Sequence, residues 1–301
     1  MGASLEVEGL RAALLQRLQG FVALPEAGER ERFTRLASAI LAGADADALR
    51  SLVARVTQGG DDWGYHRPEP LARQLHYAMA EVTLEPGSGL AGAQHLQALG
   101  DGPLILLPNH LSYSDANLIE ILLHRAGFDA LAGRLTVIAG PKVYSDPQRR
   151  FSSLCFGTIK TAQSTTLASE QAPMSAREVA RLARRTIELS FERLAQGDAL
   201  LIFGEGSRSR NAAMQPLLPA VSRYLERPGV QLLPLGIHGT EHLSPLDDSQ
   251  IHPTRVNLTV GEVLDSTALS SRCNRKRPAM AEAIGRAIAA TLPPAYRGVY
   301  G

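Results

Sequence analysis

The apolar positions of the chain change their period near residue 100. Before it, Leu10, Leu14, Leu18 and Phe21 recur at three-to-four spacing, as do Phe33, Leu36, Ile40 and Leu41, and then Leu49, Leu52, Val53 and Val56. Each set is one stripe of an α-helix. The stretch TQGGDDWGYHRPEP interrupts the pattern with Gly, Asp and Pro, which predicts a loop near 58–70. Beyond residue 100, short apolar runs bounded by Gly or Pro take over: PLILLP, LTVIAG, ALLIFG, QLLPLGI and RVNLTVGEVL. Helical patterns over 115–126, 177–196 and 278–291 separate most of them. Such alternation predicts an α/β fold, a largely parallel or mixed sheet flanked by helices. The expected organisation is a helical N-terminal domain over 1–85 and an α/β domain over 86–301. In open α/β sheets a site lies beyond the carboxyl ends of the strands, so the residues leaving each apolar run are the candidates for chemistry.

Composition narrows the class. Of 301 residues, 45% are hydrophobic and 20% charged, as in an ordinary globular protein. A net charge of +1 favours neither nucleic acid nor an anionic membrane in bulk, so any anion site must be local. Cys155 and Cys273 make no disulfide framework and fit a reducing, cytoplasmic compartment. The N-terminal MGASLEVEGLRAALL carries acids early and does not read as a signal peptide. No apolar run approaches the ~18 residues of a membrane span. The expectation is a protein that is soluble or peripheral at the membrane surface.

Three His-x4-Asp pairs occur: His110–Asp115, His124–Asp129 and His242–Asp247. Chance supplies roughly 0.3 such pairs in a chain of this composition, so spacing alone is weak and context must choose. His124 sits late in a helix and is expected to cap it or face solvent. His242 lies in a loop with Pro245 between the partners. His110 leaves the apolar run LILLP and enters a helix with Asp115 in its first turn. An Asp there can accept one imidazole N–H, fix the tautomer and leave the other nitrogen as a general base. The plainer reading is an Asn-His loop whose Ser112 or Asp115 merely caps a helix.

The fragment ALLIFGEGSRSR sends a second apolar run into Glu205, Gly206, Ser207, Arg208, Ser209 and Arg210. Paired arginines beside glycine suit a phosphate or carboxylate; the alternative is a solvated loop. Neither a G-x-S-x-G elbow nor a Walker loop is present. In VIAGPKVYSDPQRRF, Lys142, Arg149 and Arg150 could add positive charge to the same mouth, or form a basic surface helix beginning at Pro147.

Together these stretches resemble the blocks of the glycerolipid acyltransferase family, which includes glycerol-3-phosphate and 1-acylglycerol-3-phosphate acyltransferases. NHLSYSD matches its first block, N-H-x4-D. FGEGSRS is similar to the third, usually F-P-E-G-T-R-S, and LLPLGI to the fourth. AGPKVYSDP is similar to the second block of the soluble plastid-type glycerol-3-phosphate acyltransferases, which also carry a helical N-terminal domain. The blocks come in family order over about 105–240. Gly204 stands for the usual proline and Ser207 for the usual threonine, and the plastid-type third block normally lacks the acid present here as Glu205. The resemblance implies an O-acyltransferase that moves a fatty acyl group from acyl carrier protein or coenzyme A to a hydroxyl of glycerol 3-phosphate or its 1-acyl form. His110 would be its base and Asp115 the orienting acid. Glu205, Gly206 and Ser207 would organise the acceptor, and Arg208, Arg210 and Lys142 would hold its phosphate. It implies no metal, cofactor or nucleic acid, and allows peripheral membrane contact.

Two rival classes remain at this level. HGTEH (238–242) fits the inverted H-x-x-E-H pattern of a zinc hydrolase using His238, Glu241 and His242, but a helix is not expected where Gly239 intervenes and Pro245 follows. RCNRKRP (272–278) could serve a basic binding module, or dock an acidic carrier protein. Trp63 is expected to anchor the loop it sits in.

Overall fold

The computed structural model describes residues 2–57, 63–162, 175–245 and 250–301, with side chains from residue 5. Helices α1 (Gly2–Phe21), α2 (Ala27–Gly43) and α3 (Ala46–Thr57) follow the apolar stripes. Strand β1 (Tyr65–His66) and helix α4 (Pro70–Thr83) come next, then β2 (Gly89–Ala91) and α5 (Ala93–Gln97). Strand β3 (Leu104–Pro108) leads into α6 (Asp115–Arg125) and α7 (Asp129–Ala132). After β4 (Leu135–Ala139) come α8 (Pro141–Tyr144), α9 (Pro147–Ser153) and β5 (Gly157–Lys160). Helix α10 (Ala176–Ala195) precedes β6 (Ala199–Leu201), and β7 (Gln231–His238) precedes α11 (Thr240–Leu243). The chain closes through β8 (Asn257–Val260), β9 (Leu264–Asp265), α12 (Ser266–Arg272), α13 (Arg277–Ala289) and short 3-10 turns.

Among the described residues the strands form one sheet in the order β1-β5-β4-β6-β3-β7-β8-β2, with β9 also on β7. The centre, β5-β4-β6-β3-β7, is parallel. Strands β1, β8 and β9 pair antiparallel, which makes the sheet mixed. The central runs show no polar alternation because both faces are covered. Along β3, Leu104 and Leu106 face one core with α1–α4 and α6, whereas Ile105 and Leu107 face the other, with α10 and α13. The N-terminal stripes therefore share one continuous core with a face of the sheet. Each fully buried Leu or Phe there contributes about 1.5–3 kcal/mol. Backbone bonds cross the same boundary, from Ile251 N to Ala23 O (2.9 Å) and from Glu69 N to Leu154 O (2.7 Å).

The stretch expected as a loop near 58–70 differs in part. Residues 58–62 lie outside the described residues, while Tyr65 and His66 pair with Ile159 and Thr158 of β5. Two residues at a sheet edge carry no periodic signal, so the strand is set by its partner. Strand β5 itself, GTIK, escaped notice because its apolar content is a single isoleucine. Trp63 packs edge-on against Tyr144, ring centroids 5.8 Å apart.

Candidate active site

The carboxyl ends of β3, β6 and β7 converge on one cluster. Asn109, fully buried after β3, donates from Nδ2 to Ile237 O (2.9 Å) and accepts from Ile237 N (2.8 Å). That two-way bond joins the His110 loop to β7. His110 N donates to Glu205 Oε1 (2.8 Å), and Ser209 N donates to His110 O (2.8 Å), so the loop after β6 holds the histidine backbone at both poles.

The imidazole is then oriented. His110 Nδ1 lies 2.8 Å from Asp115 Oδ2. The same oxygen accepts from Leu111 N (2.7 Å) and Ser112 N (2.9 Å), and Asp115 Oδ1 accepts from Thr240 Oγ1 (2.6 Å). Asp115 is 0% exposed, at the first turn of α6, where backbone amides favour negative charge. A carboxylate with this many donors stays an acceptor, so Nδ1 carries the hydrogen and Nε2 is left as the basic nitrogen. Phe203 stacks on the ring at 4.0 Å and fixes its plane.

Glu205 is turned inward. Its Oε2 accepts from Gln215 N (2.7 Å) while Oε1 takes the His110 amide. Burial raises its carboxyl above the usual range, against the lowering effect of those two amides. Gly206 takes φ +72° in the turn that follows, a left-handed conformation that glycine adopts without a Cβ clash. Gly206, Ser207 and Arg210 are exposed, and Arg208 is half-buried with its guanidinium 3.8 Å from the centroid of Tyr113, inside the His110–Asp115 loop. Lys142 is exposed on α8; its carbonyl accepts from Arg149 Nη1 (3.1 Å). His110, Asp115, Glu205 and Arg208 thus meet, while the Arg210 and Lys142 side chains make no bond to the cluster. Asn109, Tyr113, Phe203 and Thr240 join it without having been singled out. Thr240, directly after the left-handed Gly239 (φ +96°) at the end of β7, was the most accessible of these from sequence: a hydroxyl leaving a strand end.

The other His-x4-Asp pairs lie elsewhere. His124 bonds Asp129 through Nδ1 and stacks on Tyr77 (4.4 Å), and the pair faces solvent as expected. Asp247 lies outside the described residues. Where no helix was expected, Thr240–Leu243 makes a single turn (α11). His238 precedes that turn, so the two histidines of HGTEH do not share a helical face. Glu241 accepts from Tyr296 OH (2.5 Å) and Gly239 N (3.0 Å), and among the described residues no three metal-binding side chains converge. The basic RCNRKRP segment joins α12 to α13 and, with Arg227, borders an open pocket beside the start of β7. It is separated from His110 by the length of that strand, ~26 Å at about 3.3 Å per residue.

A narrow apolar cleft opens beside Ser114, between Phe21 and Val22 at the end of α1, Met79 and Ala80 of α4, and Leu118 and Ile121 of α6. Its cavity volume is about 50 Å³. No helix among the described residues is long and apolar enough to cross a membrane.

Residues 89–238, about half of the chain, match the family model Acyltransferase, and the span runs from β2 to the end of β7. A 1-acyl-sn-glycerol-3-phosphate acyltransferase of Chlamydomonas reinhardtii is 29% identical over 102 residues, 34% of this chain and 29% of that protein. The chain therefore aligns with less than a third of that relative's length. The crystal structure of the 1-acyl-sn-glycerophosphate (LPA) acyltransferase PlsC from Thermotoga maritima aligns with a TM-score of 0.49 and 18% identity over 92% of this chain and 96% of that one. The chain belongs to the Acyltransferase family.

Proposed function

We propose that this protein transfers a fatty acyl group from a thioester, carried by coenzyme A or acyl carrier protein, to a free hydroxyl of a phosphorylated glycerol. The observation that carries this reading is the buried, fully bonded Asp115 holding His110 Nδ1, which leaves Nε2 at the mouth of the sheet. His110 Nε2 removes the hydroxyl proton as the oxygen attacks the thioester carbonyl. The tetrahedral oxyanion collapses, the C–S bond breaks, and the thiolate leaves with the proton returned by the imidazolium. A thiolate is a good leaving group, so one base and correct positioning suffice without an acyl-enzyme.

Arg208 receives the acceptor phosphate, with Arg210 and Lys142 adding longer-range attraction from the exposed rim. Glu205 acts by fixing the His110 backbone and the turn through Ser207. The relative from Chlamydomonas supports the 1-acyl form as acceptor. The cleft beside Ser114 is the apolar path for an acyl chain, so the helical region over 1–85 acts with the α/β region over 86–301 rather than as a detached cap. Such an enzyme works as a soluble or membrane-peripheral protein of the cytoplasm.

The decisive experiment is product analysis with purified protein, long-chain acyl-coenzyme A and acyl carrier protein as donors, and glycerol 3-phosphate against its 1-acyl form as acceptors. Ester formation that vanishes in His110→Ala supports the reading. Thioester hydrolysis without any acylated phosphoglycerol would overturn it.

A further inference from the structure

The segment that follows α13 lies beyond the 89–238 span matched by the family model, yet it folds back onto both loops that brace the histidine. It makes two tight turns, Pro294–Tyr296 and Gly298–Tyr300. Toward the loop after β6, Tyr296 O accepts from Met214 N (2.9 Å), Met214 O accepts from Val299 N (3.3 Å), and Tyr300 OH accepts from Leu217 N (2.8 Å). Between Met214 and Leu217 stands Gln215, whose amide donates to Glu205 Oε2, while Glu205 Oε1 takes the His110 amide. Toward the loop after β7, Tyr296 OH donates to Glu241 Oε1 (2.5 Å). The other Glu241 oxygen accepts from Gly239 N, one residue before the Thr240 hydroxyl that reaches Asp115. One segment thus ends two relays, to the His110 backbone and to its acid. The fit is close. Gly298 takes φ +54°, and a Cβ there would lie 2.0 Å from Met214 O. The buried Tyr300 ring lies flat on α13, where a Cβ on Gly285 would come within 2.2 Å of its Cζ. The Leu217 amide is buried with the Tyr300 hydroxyl as its partner, so deleting that oxygen leaves an N–H to re-pair by moving the backbone.

We infer that residues 294–301 form a clasp that positions the transfer site. Tyr300 and Gly298 set Glu205 and, through it, the His110 backbone; Tyr296 sets Glu241 and, through it, Asp115. The inference rests on the proposed acyl transfer and adds three positioning residues to it. None of the three lines the apolar cleft. A base misplaced by about 1 Å can cost on the order of 100-fold in rate, so a small shift of the clasped loops is read in kcat. Substrate binding is left alone, and the KM values with it. A segment that merely covered the core would affect stability and leave kcat unchanged.

The test compares Tyr300→Phe, Tyr300→Leu, Gly298→Ala and Tyr296→Phe with Leu269→Ala, a buried core position of α12 at the opposite end of the sheet. Transfer from long-chain acyl-coenzyme A or acyl carrier protein to glycerol 3-phosphate and to its 1-acyl form gives kcat and both KM values. Amide hydrogen exchange of the peptide over 109–115 reports the His110 loop without any turnover. Gly298→Ala is expected to lower kcat at least about tenfold and Tyr300→Phe about fivefold, with both KM values within about twofold. Tyr300→Leu loses more than Tyr300→Phe, and the loop exchanges faster in all three. Leu269→Ala lowers Tm but keeps kcat and the loop exchange. In double variants, Tyr300→Phe adds little once Glu205→Gln has cut its relay and stays additive with Thr240→Val; Tyr296→Phe does the reverse. Wild-type kcat in both Gly298→Ala and Tyr300→Phe would overturn the clasp, as would a change confined to KM or full additivity of Tyr300→Phe with Glu205→Gln. The two readings fail separately. Transfer whose kcat ignores these residues removes the clasp and leaves the function. Faster loop exchange in Gly298→Ala and Tyr300→Phe but not in Leu269→Ala, with no transfer by the wild type, removes the function and leaves the clasp.

Discussion

Helix α6 carries the same His-x4-Asp spacing at both ends. At its start His110 meets Asp115; at its end, ~16 Å away along the axis at about 1.5 Å per residue, His124 meets Asp129. Both pairs bond through Nδ1, and both imidazoles stack on an aromatic ring, Phe203 in one case and Tyr77 in the other. The difference lies in the acid. The Asp115 side chain is 0% exposed with donors on both oxygens, whereas that of Asp129 is 66% exposed. A carboxylate in water reorients and is screened; a buried one with fixed donors holds its histidine in one tautomer and one direction. A histidine–acid bond is therefore common, and a preorganised base is the version whose acid has itself been immobilised.

The comparison breaks most visibly on rate. His110→Ala should lower turnover by about two orders of magnitude or more, the scale of a lost general base, with the circular dichroism spectrum preserved. His124→Ala should stay within about threefold of wild type, since it removes only an exposed pair. Equal losses at the two positions would show that the helix, not the site, is being measured.

Removing the acids sharpens the contrast on stability as well. Asp115→Asn should cost roughly 2–4 kcal/mol in denaturant unfolding, because it removes a buried charge whose donors are left facing an amide, and should slow transfer at least about 100-fold. Asp129→Asn should cost about 0.5 kcal/mol or less, and high salt should erase even that. A salt-sensitive Asp115→Asn would contradict the burial assigned to it.

Thr240 tests the bracing from a distance of 125 residues in sequence. Thr240→Val keeps the shape and deletes the donor, so transfer should fall about tenfold and stability by about 1–2 kcal/mol, while Thr240→Ser should retain most of both. Among the described residues no hydroxyl reaches Asp129 in this way, so the other pair offers no equivalent variant there.

A third histidine shows what burial does without an acid. His76 of α4 lies parallel to Phe151, centroids 5.9 Å apart, with Nε2 3.3 Å from Ser152 Oγ, and burial lowers its pKa to about 4. The unfolded chain, with an ordinary histidine pKa near 6.5, takes up the proton first. The contribution is thus intact above about pH 6.5 and is lost as pH falls towards 4. Unfolding free energies measured at pH 7 and pH 5 should converge in His76→Leu relative to wild type. An unchanged pH slope would mean that His76 is protonated in the fold. This effect bears on stability rather than on rate.

Much of this was legible in the sequence because it is local. A 3.6-residue stripe makes α1, α2 and α3 wherever they dock, and an uninterrupted run such as LILLP makes a strand covered on both faces. His110 and Asp115 are five residues apart across a strand-to-helix turn, so their approach needs little else. Strands β1, β2 and β5 were not legible, since two to four residues carry too little period and form because a neighbouring edge offers its N–H and C=O groups.

What only the tertiary structure decided is which of the matching patterns becomes a site. The sequence offered His124–Asp129 on equal spacing and Arg150 beside Arg149. Sheet pairing of β3 with β6 and β7 brought Glu205, Ser209, Ile237 and Thr240 to the His110 loop, and packing of α9 on α3 turned Arg150 inward and left Arg149 on Tyr113. Those contacts span tens to more than a hundred residues. The chemistry depends on burial and on donors arriving from other strands, and neither quantity is a property of a local stretch.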